Sequence, residues 1–122
     1  MNILSDNSLQ ATEKGLDLAI RLPWYRALPL STVEIGQVRI GGNLIDADKI
    51  TLGVNDKNYR LDQLADLTGE YWFVLDSAVL HIEYPEAKRG MEYDVEAMVT
   101  LYPPYIPGIP FPSLGQSRIR AC

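Results

Sequence analysis

The chain has 122 residues, 47% of them hydrophobic and 22% charged, which fits one ordinary globular domain and leaves no room for a second. Eleven Lys and Arg against sixteen Asp and Glu give a formal charge of -5, the wrong sign for a protein that neutralises phosphates, so nucleic acid and anionic membrane are poor partners. The lone cysteine, Cys122, allows no intrachain disulfide, Met1 to Asp6 carry neither a basic start nor a long apolar run, and no stretch approaches the ~18 apolar residues of a membrane span; a soluble, cytoplasmic protein is expected.

After an N-terminal segment, residues 1–15, the run Leu16 to Leu22 puts Leu16, Leu18, Ile20 and Leu22 on one face with period two and predicts a half-buried strand that stops at Pro23. Trp24-Tyr25-Arg26-Ala27-Leu28 has large side chains without periodicity and reads as a loop closed by Pro29. Val38-Arg39-Ile40 and Leu44-Ile45 flank Gly41-Gly42-Asn43, the composition of a hairpin turn. A second hairpin joins Thr51–Val54 to Tyr59–Leu61 across Asn55-Asp56-Lys57-Asn58. One short helical turn is expected over Gln63–Leu67, with Asp62 as its N-cap and Gly69 beyond its end.

Tyr71–Leu75 and Ala78–Ile82 read as strands separated by Asp76-Ser77. The clearest strand follows, where Met91, Tyr93, Val95, Ala97, Val99 and Leu101 alternate with Glu92, Asp94, Glu96, Met98 and Thr100. Residues 102–112 then hold five of the eight prolines, a density no central strand or helix accepts, and predict a stiff irregular loop. Seven to eight or more short strands with almost no helix point to a single all-β domain, residues 1–122, folded as an antiparallel β-sandwich or partly open barrel. Helical crossovers are lacking, which excludes a parallel sheet.

The chemical inventory is short. One histidine, no cysteine pair and no Gly-rich phosphate loop before a long helix remove the minimum equipment of most enzyme classes. His81 alternates between Leu80 and Ile82 and reads as an outward-facing structural histidine rather than a general base. Asp46, Asp48 and Asp56 lack the glycine and terminal glutamate of an EF-hand loop and read as solvated turns. Glu92, Asp94 and Glu96 share one strand face; two of them form a conceivable glycosidase pair, but a polar outer sheet face explains them better.

Apolar and aromatic side chains in loops stand out against this background: Trp24, Tyr25, Leu28 and Leu30 in one, and Tyr102, Tyr105, Ile106, Ile109 and Phe111 in the other. Such residues either cap the ends of a sandwich core or meet another chain or a ligand.

The stretch Arg21-Leu22-Pro23-Trp24-Tyr25-Arg26-Ala27-Leu28-Pro29-Leu30-Ser31 resembles a segment of the small β subunits of bacterial C-glycoside deglycosidases. The likeness continues through Val38–Gly42, Tyr59–Ala65 and Glu70-Tyr71-Trp72 into the long strand, over roughly residues 16–112. It departs from the family pattern at Trp24, where tyrosine is commoner, and at Ala27, where glycine is. The resemblance implies a non-catalytic β-sandwich subunit beside a larger TIM-barrel α subunit. Such a complex cleaves the carbon–carbon bond between an aromatic aglycone, such as a flavonoid, and a 3-oxo sugar. The base and a divalent metal, typically manganese, then belong to the α subunit, and this chain binds no cofactor. The partner interface would comprise Trp24, Tyr25, Arg26, Leu28, Pro29, Tyr102, Tyr105, Ile106, Ile109 and Phe111, with Arg26 as polar anchor. The rival reading is a stand-alone β-sandwich that binds carbohydrate or aromatic ligands by stacking on Trp24, Tyr25 and Trp72.

Overall fold

The computed structural model describes residues 3–4, 8–106 and 108–122, so Pro107 and most of the Met1-to-Asp6 segment fall outside the described residues. The alternating segments form strands β1 (Leu9–Ala11), β2 (Gly15–Ile20), β3 (Leu28–Pro29), β4 (Val33–Ile40), β5 (Asn43–Leu44), β6 (Ile50–Val54), β7 (Lys57–Arg60), β8 (Tyr71–Trp72), β9 (Ala78–Glu83), β10 (Glu92–Leu101) and β11 (Phe111–Arg120). One sheet has five strands in the order β1-β2-β9-β6-β7, a second has four in the order β11-β10-β4-β5, and β3 pairs with β8 alone. All pairings are antiparallel.

The core lies between the two larger sheets. Leu16, Leu18 and Ile20 of β2, Leu80 and Ile82 of β9, and Ile50, Leu52 and Val54 of β6 face Val38 and Ile40 of β4 and Val95, Ala97, Val99 and Leu101 of β10, all buried in one cluster. Each such Leu or Ile stabilises the fold by about 1.5–3 kcal/mol relative to leaving it in water. This is an all-β sandwich, built as the period-two segments imply. Among the described residues no helix is long and apolar enough to cross a membrane.

Both hairpins turn more tightly than the sequence suggests. Gly41 and Gly42 take positive φ of 57° and 83°, and Asn55 and Asp56 take 54° and 63°, so each turn has two residues of the type that matches strand twist. Asn43, Lys57 and Asn58 consequently belong to strands. The expected helix is a 3-10 turn over Leu61–Asp66, and two more occupy Leu30–Thr32 and Ala47–Lys49. Its N-cap is Arg60 rather than Asp62, because the Arg60 N–H donates to Gln63 Oε1 at 2.7 Å.

Three further expectations are corrected. Tyr71–Leu75 is not a strand: only Tyr71–Trp72 joins a ladder, and the chain then doubles back, with the Asp76 N–H donating to the Phe73 carbonyl at 2.9 Å and Trp72 Nε1–H to the Asp76 carbonyl at 2.8 Å. Met91 lies outside β10, exposed, rather than on its core face. The proline-rich segment ends earlier than residue 112, because Phe111 and Pro112 open β11, an edge strand on which proline forfeits no ladder bond to a further neighbour.

Candidate functional site

The two aromatic loops converge. Trp24 leaves the end of β2 through Pro23, and Phe111 enters β11 opposite Leu101, which brings their rings to 5.0 Å between centroids at an interplanar angle of 59°. Both are half-buried against the core. Tyr25 also packs near the indole, 5.2 Å between centroids, as does Tyr105 at 6.5 Å. Trp24 Nε1–H donates to Tyr105 Oη, and the Tyr105 hydroxyl donates in turn to Tyr25 Oη at 3.5 Å. The Arg26 guanidinium lies over the Tyr105 ring, 5.6 Å from its centroid.

The result is a braced platform rather than a set of loose side chains. Its base is sealed into the sandwich while Tyr25, 71% exposed, and Arg26 stand at its top. The hydrogen bond with Tyr105, then partial burial, hold the Tyr25 phenol above its ordinary value against the opposing pull of Arg26, so it is neutral at physiological pH. Rings fixed in this way lose little side-chain freedom on association. Four hollows on the surface are lined by other residues and take in no member of the platform.

The remaining interface candidates divide. Tyr102 and Ile109 are exposed and Ile106 is half-buried, all on the same loop as Tyr105. Pro29 is half-buried in β3 opposite Tyr71. Leu28 is 1% exposed, faces Trp72 across β3 and β8, and with Leu30 caps the core. Trp72 is itself fully buried, which leaves it no ring face for a ligand and removes one of the three stacking residues of a binding-module reading.

The acidic candidates sit elsewhere. Glu92, Asp94 and Glu96 lie on the outer face of the four-stranded sheet, where Arg118, Arg120 and Arg39 pair with them at 3.4–3.9 Å. This is the outer polar face of a sheet, neutralised in place. His81, half exposed on the outer face of the five-stranded sheet, takes its Nδ1 to Asp17 Oδ1 at 2.8 Å and lies across Gly53, whose missing Cβ would fall 2.7 Å from Nε2. The pair borders an open hollow of about 580 Å³ that also takes in Thr12, Lys14, Asp48 and Thr51. Among the described residues no three His, Cys, Asp or Glu side chains converge to hold a metal ion.

The turn after β8 escapes a periodicity argument. Phe73, Val74 and Leu75 are exposed, Leu75 to 96%, and Tyr71 stacks on Phe73 at 6.5 Å. The available signal was an unbroken run of five large apolar residues, a pattern shared by buried strands.

A family model for the C-glycoside deglycosidase beta subunit matches residues 2–105. The 3'-dehydrocarminate deglycosidase beta subunit of a Microbacterium species is 38% identical over 105 residues, covering 86% of this chain and 79% of the relative. The C-glycoside deglycosidase beta subunits of Arthrobacter globiformis and Microbacterium trichothecenolyticum are each 33% identical over 104 residues, covering 85% of this chain and 79% of the relative. Both the distinctive Arg21–Ser31 stretch and Tyr105 fall inside the matched span, and Phe111 lies just beyond it. A sandwich carrying that stretch as half of an aromatic platform, together with these matches, shows that the chain belongs to the C-glycoside deglycosidase beta subunit family.

Proposed function

We propose that this chain is the non-catalytic subunit of a cytoplasmic C-glycoside deglycosidase, a carbon–carbon lyase, and that it docks the Trp24–Tyr25–Tyr105–Phe111 platform on a larger TIM-barrel subunit. The observation that carries this reading is the convergence of two loops, distant in sequence, into one exposed and internally braced aromatic face. Trp, Tyr and Arg are the residues that dominate interface energetics. Docking there stabilises the larger subunit and shapes the mouth of its active site.

The substrate is a 3-oxo-C-glucoside of an aromatic aglycone such as a flavonoid; the relative named for 3'-dehydrocarminate supports a sugar oxidised at that position. The 3-keto group acidifies the neighbouring C2–H. A base on the larger subunit removes that proton, the released electron pair forms the C1–C2 double bond, and the bond from C1 to the aglycone carbon breaks with its electrons going to the aglycone, which is then protonated. A divalent metal, manganese in this proposal, sits in the larger subunit and polarises the sugar oxygens.

Reconstitution with the larger subunit tests the docking face. Trp24→Ala is expected to weaken association about 30-fold, the cost of losing a central aromatic anchor, and to lower turnover of a 3-oxo-C-glucoside at subunit concentrations near the dissociation constant. Undiminished affinity in both Trp24→Ala and Tyr105→Ala would remove the platform from the interface.

A further inference from the structure

The platform's hydrogen bonds run in one direction, and that direction specifies what must lie opposite. An indole N–H can only donate. Trp24 Nε1 therefore donates to Tyr105 Oη, which leaves the Tyr105 hydrogen to go on to Tyr25 Oη at 3.5 Å. Tyr25 Oη receives that hydrogen and keeps its own O–H as a donor. Beside it the Arg26 guanidinium lies over the Tyr105 ring at 5.6 Å and faces the Tyr25 hydroxyl oxygen, a fork of five N–H donors that one phenol oxygen cannot saturate.

Arg39, Arg60, Arg118 and Arg120 each lie within 4.0 Å of a carboxylate oxygen, whereas among the described residues Arg26, like Arg21 and Arg89, has no such ion pair. It is also, among the described residues, the one guanidinium stacked on an aromatic ring. The top of the platform thus carries a charged guanidinium and a phenol hydroxyl able to donate, on a chain that is otherwise acidic. No platform residue lines the four hollows described above, and exposed Tyr and Arg on an aromatic face are the residue types that meet a protein.

We propose that the partner subunit places an Asp or Glu carboxylate against the Arg26 guanidinium, with the Tyr25 hydroxyl donating to the same carboxylate. This rests on the docking face assigned above. A carboxylate satisfies two guanidinium N–H groups at once and accepts the phenol hydrogen as well, a match that neither a lysine nor a backbone carbonyl on the partner can make. Stacking on Tyr105 holds the fork in plane before the partner arrives, so little orientational freedom is lost when it binds.

The test is the affinity of this chain for its larger subunit, measured by titration calorimetry at two salt concentrations for wild type, Arg26→Lys, Arg26→Gln, Arg26→Glu and, as a marker of the docking face, Trp24→Ala. The expected result is a loss of about tenfold for Arg26→Lys and of 100-fold or more for Arg26→Glu, with Arg26→Gln flattening the salt dependence. Substituting one acidic residue of the partner by arginine should then restore binding to Arg26→Glu. Arg26 is exposed, and thermal melts identify any variant whose folding is altered; Arg26→Lys keeps the stem and the charge and serves as the mildest probe. Weakening by Trp24→Ala with all three Arg26 variants at wild-type affinity would overturn the carboxylate while leaving the docking face intact. Equal, salt-independent losses for Lys, Gln and Glu would assign neutral acceptors to the partner and overturn it too. Wild-type affinity in every variant, Trp24→Ala included, would overturn the docking reading itself.

Discussion

At Gly15 the fold leaves no space for a side chain: a Cβ there would lie 2.1 Å from the Ile82 carbonyl oxygen and 2.4 Å from the Tyr84 nitrogen, both backbone atoms that cannot swing away. Gly15→Ala must push β2 from β9 at the end of their ladder and is expected to cost roughly 3 kcal/mol in urea unfolding, the upper range for overpacking. Gly53 is the milder case, since the atoms a Cβ would meet belong to the His81 and Asn58 side chains, which can rotate. Glu70 is the carboxylate whose acidity the fold strengthens. The Asn55 amide donating to its carboxylate, then the charge of Lys57 at 3.4 Å, hold its acidity stronger than that of an ordinary glutamate, against partial burial. A carboxyl group whose folded value is lowered adds stability above its unfolded value, and that increment disappears as pH falls through the folded one. Melting temperatures followed downward from pH 6 should therefore fall less steeply for Glu70→Gln than for wild type, and parallel curves would show that the pairing adds nothing.

The strands that declared themselves in the sequence were those whose inward residues are all apolar. β2, β9 and most of β10 follow this rule, and Leu16, Leu18, Leu80, Val95 and Ala97 sit where period two puts them. β11 was missed because three of its five inward positions, Ser113, Gly115 and Ser117 between Phe111 and Ile119, are small: Ile3 and Leu4 fill the space above Gly115, whose Cβ would fall 2.6 Å from Ile3 Cγ1. The first half of β4 was missed because its register against β10 slips between Ala97 and Val99, which breaks the alternation around Gly36. The Tyr71–Leu75 run failed in the opposite sense, apolar throughout yet bent by the Trp72 indole N–H bond to Asp76. Both loops of the platform were legible as loops rich in contact residues, but no periodicity could show that they meet, nor that Leu28 turns inward while Tyr25 turns out. At this scale the hairpin between β6 and β7 offers a test. Asn55 combines a φ of 54° with an amide donating to the Tyr71 carbonyl at 2.7 Å, so Asn55→Ala should destabilise the protein by about 1–2 kcal/mol, whereas Asn55→Gly, which keeps the backbone preference, should lose about half of that.

For the molecule as a whole, the distribution of chemistry follows the two sheets. Their outer faces hold polar groups partnered in place, arginines across Glu92, Asp94 and Glu96 on one and the hydrogen-bonded Asp17–His81 pair on the other. The end of the sandwich carrying Trp24 and Phe111 differs, with a braced aromatic surface and, among the described residues, an Arg26 guanidinium that has no carboxylate partner. Membership of a beta-subunit family, and the docking proposed above, agree with that asymmetry. The most direct measurement is hydrogen–deuterium exchange of this chain alone and bound to the larger subunit. The account requires that binding slow exchange in residues 23–28 and 102–111 while the strands beneath His81 stay unchanged; protection centred on the His81 face, with the platform exchanging as in the free chain, would contradict it.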